Sequence, residues 1–401
     1  MKILFLAQIF PYPPDSGGKI CSYHTLKALS EEHEVCLVSY TRSDKEIESV
    51  GELEKLCAEV KTVPMERSKL TNPKDALLSL INGKSFIISR DYRDSMQKLF
   101  DETVKTFKPD AVHIDHLQMA QFVDFNASYK AVLYNHNVEY MIIKRIAETA
   151  KSPATKLFAS REYKKLRKFE LDACRKSDLV ITVSDEDKKT LSALVPEAVI
   201  QGVPIAVDTD YFTPVDAFPG TDTLFSIGTM HWPPNVDAAH YFVDEIFDLV
   251  LEKHPKARYV IAGQKPVPSI VELGKRENID VTGYVEDSRE AAKCCDVFIV
   301  PLRSGSGMRV KILNACAMGL AVVSTTVGAE GIDCVPGEHY LQADTPAEFA
   351  AAVCKLLDDG EYAKTIGKNA YDFVKNNYSR EIINKKIRAL YADYIEKDSE
   401  E

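Results

Sequence analysis

The sequence predicts an α/β protein built from two doubly wound, Rossmann-like domains that face a central cleft. Three observations lead there. Short apolar runs alternate with helical patterns along most of the chain, the signature of parallel sheets covered by helices on both faces. The alternation runs through twice, and 401 residues exceed what one core usually holds. Between the two sets, Val203 to Pro214 leads into a Pro-, Gly- and Asp-containing connection ending near Asp222, the kind of segment in which a chain changes domain.

The first set of expected strands is Ile3–Gln8, Val35–Ser39, Val60–Val63, Ala111–Ile114, Val132–Tyr134 and Leu179–Val183. The N-terminus, Met1 to Ala7, is too short for a signal peptide and runs straight into a Pro-rich turn, so it is read as strand one. The second set is Leu224–Ile227, Arg258–Ala262, Asp280–Thr282, Val297–Val300, Ala321–Ser324 and Tyr340–Gln342. In open sheets of this kind ligands bind beyond the carboxyl ends of the strands. Each strand-to-helix turn is therefore a candidate site.

The most informative turn runs from Leu302 to Gly319. It follows the apolar run Asp296–Pro301 and precedes a helical pattern, Val310 to Met318, with Gly319 as its stop. Gly305, Ser306, Gly307 and Met308 present backbone N–H groups at a helix start, where the positive pole of the helix dipole favours a phosphate. Arg309 and Lys311 add cations, and Lys311 and Asn314 lie three apart on one helix face, a cation toward a phosphate and an amide toward a sugar hydroxyl. Two glycines that merely turn the chain, beside solvated cations, are the alternative for this stretch by itself. After strand one, Gly17-Gly18 opens another helix and lets backbone approach a ligand closely.

Candidate chemistry also collects at two strand ends of the first domain. His113-Ile114-Asp115-His116 ends one strand and Asn135-His136-Asn137-Val138-Glu139 ends the next. Asp115, His116 and His136 are the candidate catalytic residues, against the alternative that such histidines are structural. No HExxH or paired-carboxylate spacing implies a metal, and no GxSxG elbow supports a hydrolase.

Composition narrows the classes. A net charge of −10 argues against a general nucleic-acid binder. Nine scattered cysteines without a CxxC pair fit reduced, buried thiols in a cytoplasmic protein. No apolar run approaches the roughly 20 residues that cross a bilayer. Lys156 to Lys176 is a basic helical pattern, read either as a solvated face or as a surface for anionic lipid or a polyprenyl-phosphate acceptor at the inner membrane face.

From Gly228 to Gly331 the chain resembles the nucleotide-sugar site of retaining GT-B glycosyltransferases of family four, and most of all their bacterial polysaccharide-associated subgroup, whose wording Pro233-Pro234-Asn235-Val236-Asp237 it shares. Gly17-Gly18 matches the family's loop after strand one. Pro204 to Phe212 is similar to a hinge written P-N-G-V-D-x-x-x-F, here with Ile205 and Ala206 replacing Asn and Gly. Gly283-Tyr284-Val285 matches the turn whose backbone meets the base. The resemblance implies a GT-B fold with domains 1–205 and 206–375 and a segment 376–401 whose helix, N-capped by Ser379, returns to the first domain. It implies that Gly17, Gly18, Gly228, Tyr284, Val285, Gly305, Ser306, Gly307, Met308, Arg309, Lys311 and Asn314 meet a UDP- or GDP-type sugar donor, with no cofactor and no metal. The acceptor would be a glycan, a lipid-linked saccharide or another hydroxyl compound. The chain departs from the family in lacking an Arg and a Lys after Gly228, and in placing Ser306 and Asn314 where two glutamates usually stand eight apart. Those departures keep a non-catalytic GT-B subunit, binding a partner transferase or a glycan, as the rival. A sugar-nucleotide epimerase would need a pair of cleft carboxylates that the sequence does not offer.

Overall fold

A computed structural model describes residues 1–14, 16–65, 83–150, 152–215, 218–305 and 307–396. They form two units: Met1–Ala206 together with Ile383–Glu401, and Val207–Ile382. Ser306 falls outside the described residues.

The first unit is a seven-stranded parallel sheet in the order β3-β2-β1-β4-β5-β6-β7. Its strands are β1 (Lys2–Ala7), β2 (Glu34–Thr41), β3 (Glu59–Pro64), β4 (Ala111–Asp115), β5 (Lys130–Asn135), β6 (Leu179–Thr182) and β7 (Ile200–Gly202). β1 reads as five successive buried residues, as expected of a strand covered on both faces. The sequence reading lacks β7, because three residues ending in Gly carry too little pattern to register. Gly202 is small for a local reason: a Cβ there would stand 2.4 Å from the Asp185 carboxylate.

The second unit is a six-stranded parallel sheet in the order β10-β9-β8-β11-β12-β13. It comprises β8 (Thr223–Ile227), β9 (Arg258–Ala262), β10 (Ile279–Gly283), β11 (Val297–Val300), β12 (Ala321–Ser324) and β13 (Leu341–Gln342). Each unit has its own core; the second gathers Phe242, Phe247, Tyr259 and Phe349 around the sheet. Asp296, buried just before β11, accepts from the backbone N–H of Gly220, Thr221 and Thr223 and so fixes the entry into β8.

In both units the strand order reverses once, between β1 and β4 and between β8 and β11. Such a switch point splays the following turns apart and leaves a crevice at the carboxyl edge. Every cluster described below lies at one of the two.

The tail differs in detail from the sequence reading. Residues 376–382 stay with the second unit, because the helix Gly360–Tyr378 runs on without interruption. Ser379 is extended between that helix and the next, Arg380–Tyr391. Val207 pairs with Ser379, and Arg380 bridges Asp208 and Asp210, so the strands of chain entering and leaving the second unit are tied together. From Ile383 on, the tail belongs to the first unit. There Tyr391 is buried, and its hydroxyl lies 2.6 Å from Nδ1 of His113 in β4.

Candidate functional site

At the first unit's switch point, the register pairs Ala7 of β1 with Asp115 of β4 and Asp115 with Tyr134 of β5. The ends of three adjacent strands therefore deliver Gly17-Gly18, Asp115-His116 and Asn135-His136 to one place. Asp115 is fully buried and accepts from three side chains: Ser22 Oγ at 2.7 Å, His116 Nδ1 at 3.1 Å and His136 Nε2 at 2.8 Å. The two imidazoles stack, with ring centres 3.8 Å apart and planes within 18°. The three candidate catalytic residues thus meet, and Ser22, one helical turn after Gly18, joins them. Sequence alone gave no signal for Ser22 beyond that spacing.

Burial works to raise the Asp115 pKa, but the two imidazoles outweigh it and hold the carboxyl well below its usual range. Burial opposes the charged form of His116, yet the Asp115 carboxylate prevails and raises its pKa. His136 goes the other way: burial, then the neighbouring His116 charge, lowers it. Of the two imidazoles, His116 is thus the one whose charged form the carboxylate favours, and His136 the one whose charged form is opposed. His136 donates from Nε2, and its Nδ1 is left as an acceptor. His116 adopts φ 77°, ψ 141°, a region that strains any residue with a Cβ. Its Nε2 faces Gly18, where an added Cβ would lie 3.7 Å away.

The ligand atoms of Asp115, His116 and His136 lie within 4.8 Å of one another, close enough for a metal ion. Each nitrogen, however, faces a different carboxylate oxygen at hydrogen-bond distance, so the protons already satisfy the pair. His113 is structural: it is buried, stacks on Phe5 at 4.3 Å, and burial pushes its pKa down to about 4.

Behind the cluster stands Glu170, which the sequence reading does not single out. Its carboxylate accepts from Asn135 Nδ2 at 3.2 Å and from the backbone N–H of Glu139 and Tyr140 at 3.1 and 3.0 Å. It thereby caps the helix Glu139–Thr149 and fixes the loop that carries His136. Burial pushes its pKa up to about 8.

At the second unit's switch point, Gly228 follows β8 and the Leu302–Gly307 turn follows β11. Lys311, on the helix Val310–Ala317, donates to the Ile227 carbonyl and to Asn235 Oδ1, both at 3.0 Å. Asn235 in turn donates to the Thr229 carbonyl at 3.1 Å. Burial, then the charge of Arg309, lowers the Lys311 pKa to about 8. Arg309 donates to the Gly307 carbonyl at 2.8 Å and folds over Gly305, whose φ of 132° and missing Cβ make room for the guanidinium. Gly307 also has positive φ, and Met308 is buried. Asn314 is half-buried one turn beyond Lys311. Gly228 packs directly on Asn235, and Gly263 packs on Gly228 so closely that a Cβ on Gly263 would fall 1.6 Å from the Gly228 carbonyl oxygen.

Tyr284 is 72% exposed just after β10, with Val285 half-buried beside it. The structure therefore gathers Gly228, Gly305, Gly307, Arg309, Lys311 and Asn314 around the β8/β11 crevice, and sets Tyr284 and Val285 two strands away, after β10. Asn235 is the residue that organises this site and that the cations alone do not reveal.

Solved structures that superpose on this fold cover almost the whole chain. A sucrose-phosphate synthase from Thermosynechococcus elongatus superposes with a TM-score of 0.71, 15% identity and 98% of each chain covered. HepE from Anabaena, solved in complex with UDP, superposes with a TM-score of 0.67 at 14% identity, over 98% of this chain and 100% of that one. The chain has the GT-B fold. Within this GT-B chain, residues 221–359 match the family described as Glycosyl transferases group 1. That segment holds the whole β8/β11 site. An uncharacterized 44.6 kDa protein from the cps region of Klebsiella pneumoniae is 22% identical over 395 residues, 94% of this chain and 96% of its own. An uncharacterized glycosyltransferase of Methanocaldococcus jannaschii is 30% identical over 104 residues, 24% of this chain.

Proposed function

We propose that the protein is a retaining glycosyltransferase that moves a hexose-type sugar from a nucleoside diphosphate donor to a glycan, lipid-linked or other hydroxyl acceptor in the synthesis of a cell-surface polysaccharide. The observation that carries the reading is the coincidence of the group 1 match at 221–359 with the Gly228–Asn235–Lys311 arrangement and the Arg309 turn. HepE, which shares the fold, was solved with UDP and with UDP-glucose, which favours a uridine donor. The Klebsiella relative, encoded in a cps region, favours the polysaccharide setting.

In this reading the second unit holds the nucleotide. Backbone N–H groups of Gly305 and Gly307, the Arg309 guanidinium and the Lys311 ammonium meet the diphosphate and stabilise the charge that develops on it as the sugar leaves. Lys311 is pinned by Ile227 and Asn235 before any ligand arrives, so little reorganisation is needed. The phosphate can itself take the acceptor proton, which leaves acid–base work slight; Asp115, His116 and His136 orient the acceptor side. Neither metal nor cofactor is required, so donor binding should be indifferent to EDTA.

One observation favours a second reading, a non-catalytic GT-B subunit: Asn314 stands where the resemblance leads one to expect a glutamate for the ribose. The experiment that separates the two uses Trp232, the single tryptophan, which is 54% exposed at the start of the helix after Gly228. Its fluorescence and the melting temperature are followed as UDP-, GDP- and ADP-sugars are added, and donor hydrolysis is then measured on the purified protein. One nucleotide sugar should bind and turn over slowly. No response to any of the three would defeat the transferase reading, and binding without turnover would leave the non-catalytic one.

A further inference from the structure

The helix Pro153–Lys176 carries eight Lys and Arg against three acidic residues, in a chain whose net charge is −10. Its two faces are sharply divided. Ala159, Glu162, Leu166, Glu170 and Ala173 are buried, and Glu162 and Glu170 spend their carboxylates inside, Glu162 on Ser85 and the Ile87 N–H, Glu170 on the Glu139 loop. On the opposite face Leu157, Arg161, Lys164 and Lys168 follow at helical spacing and are all exposed. Arg161, Lys164 and Lys168 form no ion pair among the described residues.

The preceding helix, Glu139–Thr149, packs against it. Ile146 lies three residues before the end of the first helix and Leu157 four residues after the start of the second. They are 42% and 55% exposed, Leu157 being the most exposed large aliphatic side chain among the described residues. Leu157 heads the same helix face as Arg161, Lys164 and Lys168, and Ile146 stands near the end of the helix packed beside it. Exposed aliphatic side chains next to a row of cations have the chemistry of a surface that sinks apolar groups among lipid tails and lays cations on headgroup phosphates.

We propose that the pair Glu139–Thr149 and Pro153–Lys176 docks on an anionic lipid bilayer, with Ile146 and Leu157 inserting and Arg161, Lys164 and Lys168 on the headgroups. Docking would bring a lipid-linked acceptor within reach if the transferase reading holds; the contact itself depends on the helix pair alone.

Co-sedimentation of the full chain with vesicles of phosphatidylcholine, with and without phosphatidylglycerol, tests it. Binding is expected to the anionic vesicles and not to the neutral ones, and to fall as salt rises from about 50 to 300 mM. The combined Arg161→Gln, Lys164→Gln and Lys168→Gln variant should lose binding on the order of 100-fold, at roughly fivefold per cation near an anionic surface. The Ile146→Ser, Leu157→Ser variant should weaken it at both salt concentrations. All these side chains are exposed, so melting temperature and nucleotide response should stay unchanged and report any misfolding. Equal or absent binding to the two vesicle types overturns the proposal, as does a triple-Gln variant that sediments like the parent. Retention of the parent on heparin or nucleic acid that outlasts its vesicle binding as salt rises would mark a general polyanion surface and also overturn it. Vesicle binding without any nucleotide response would leave the docking surface standing and remove the transferase reading.

Discussion

Asp115 satisfies three donors at once, so the two histidines beside it cannot behave as independent bases. Replacing His116 or His136 with Ala should lower transferase turnover while nucleotide affinity stays at the parent level, because the donor is assigned to the other unit; unchanged turnover in both would make the cluster structural. The strained backbone at His116 can be read apart from its side chain. His116→Gly should be more stable than His116→Ala by about 1 kcal/mol, since only the former relaxes at φ 77°; chemical denaturation of the two variants measures it. Glu170 supplies a pH signature. Its pKa in the folded state, about 8, lies above the ordinary 4.5, so its stabilising contribution is full below 4.5 and is lost as pH rises through 8. The parent should therefore lose melting temperature between pH 5 and 8 relative to Glu170→Gln, by an amount set by about 1.4 kcal/mol for each tenfold change in proton affinity. In the second unit, Arg309→Ala and Lys311→Ala should each weaken UDP or GDP binding by roughly 1.5–3 kcal/mol, the scale of a charge-assisted hydrogen bond. With the nucleotide ribose at Asn314, Asn314→Glu should tighten it by about 1 kcal/mol; calorimetric titration decides both.

At the level of elements, most strands are readable because each is a buried apolar run of four to six residues bounded by turn residues, as in β11 and β12. β7 escapes because it is short and ends in Gly. The turns are readable as glycine clusters, but what each glycine accommodates is not. Gly263 has no motif around it, yet its α-carbon rests against the Gly228 carbonyl, and Gly263→Ala should destabilise the second unit by more than about 2 kcal/mol because backbone cannot yield there. Thermal unfolding followed by Trp232 fluorescence reads that unit. The pairing of His136 with Asp115 across two strands, or of Lys311 with Asn235 across 76 residues, depends on strand order. Local sequence pattern carries no information about which strands become neighbours, and so the clusters could be expected at strand ends but not assembled. Ser22 and Glu170 escape for the same reason: each sits in a helix whose own pattern gives it no role, and acquires one only through what the sheet brings opposite.

For the molecule as a whole, the second unit is one continuous insertion, Val207–Ile382, in a first unit made of two pieces. A fragment 207–382 should fold with its own core and keep the nucleotide affinity of the full chain except for what Gly17-Gly18 add to it. A chain ending at residue 382 should keep that affinity too but lose cooperative unfolding of the first unit, since it leaves His113 without the Tyr391 hydroxyl and the sheet without the tail helix. Circular dichroism and nucleotide titration of the two fragments check this.

The bond between His113 and Tyr391 spans 278 residues, and it sets a timetable. At roughly 5–20 residues per second of synthesis, the histidine waits about 15–55 s on the ribosome before its partner is made. Throughout that interval β4 stands without its Tyr391 contact while the whole second unit emerges. The half of the protein that is made first is the half that is finished last.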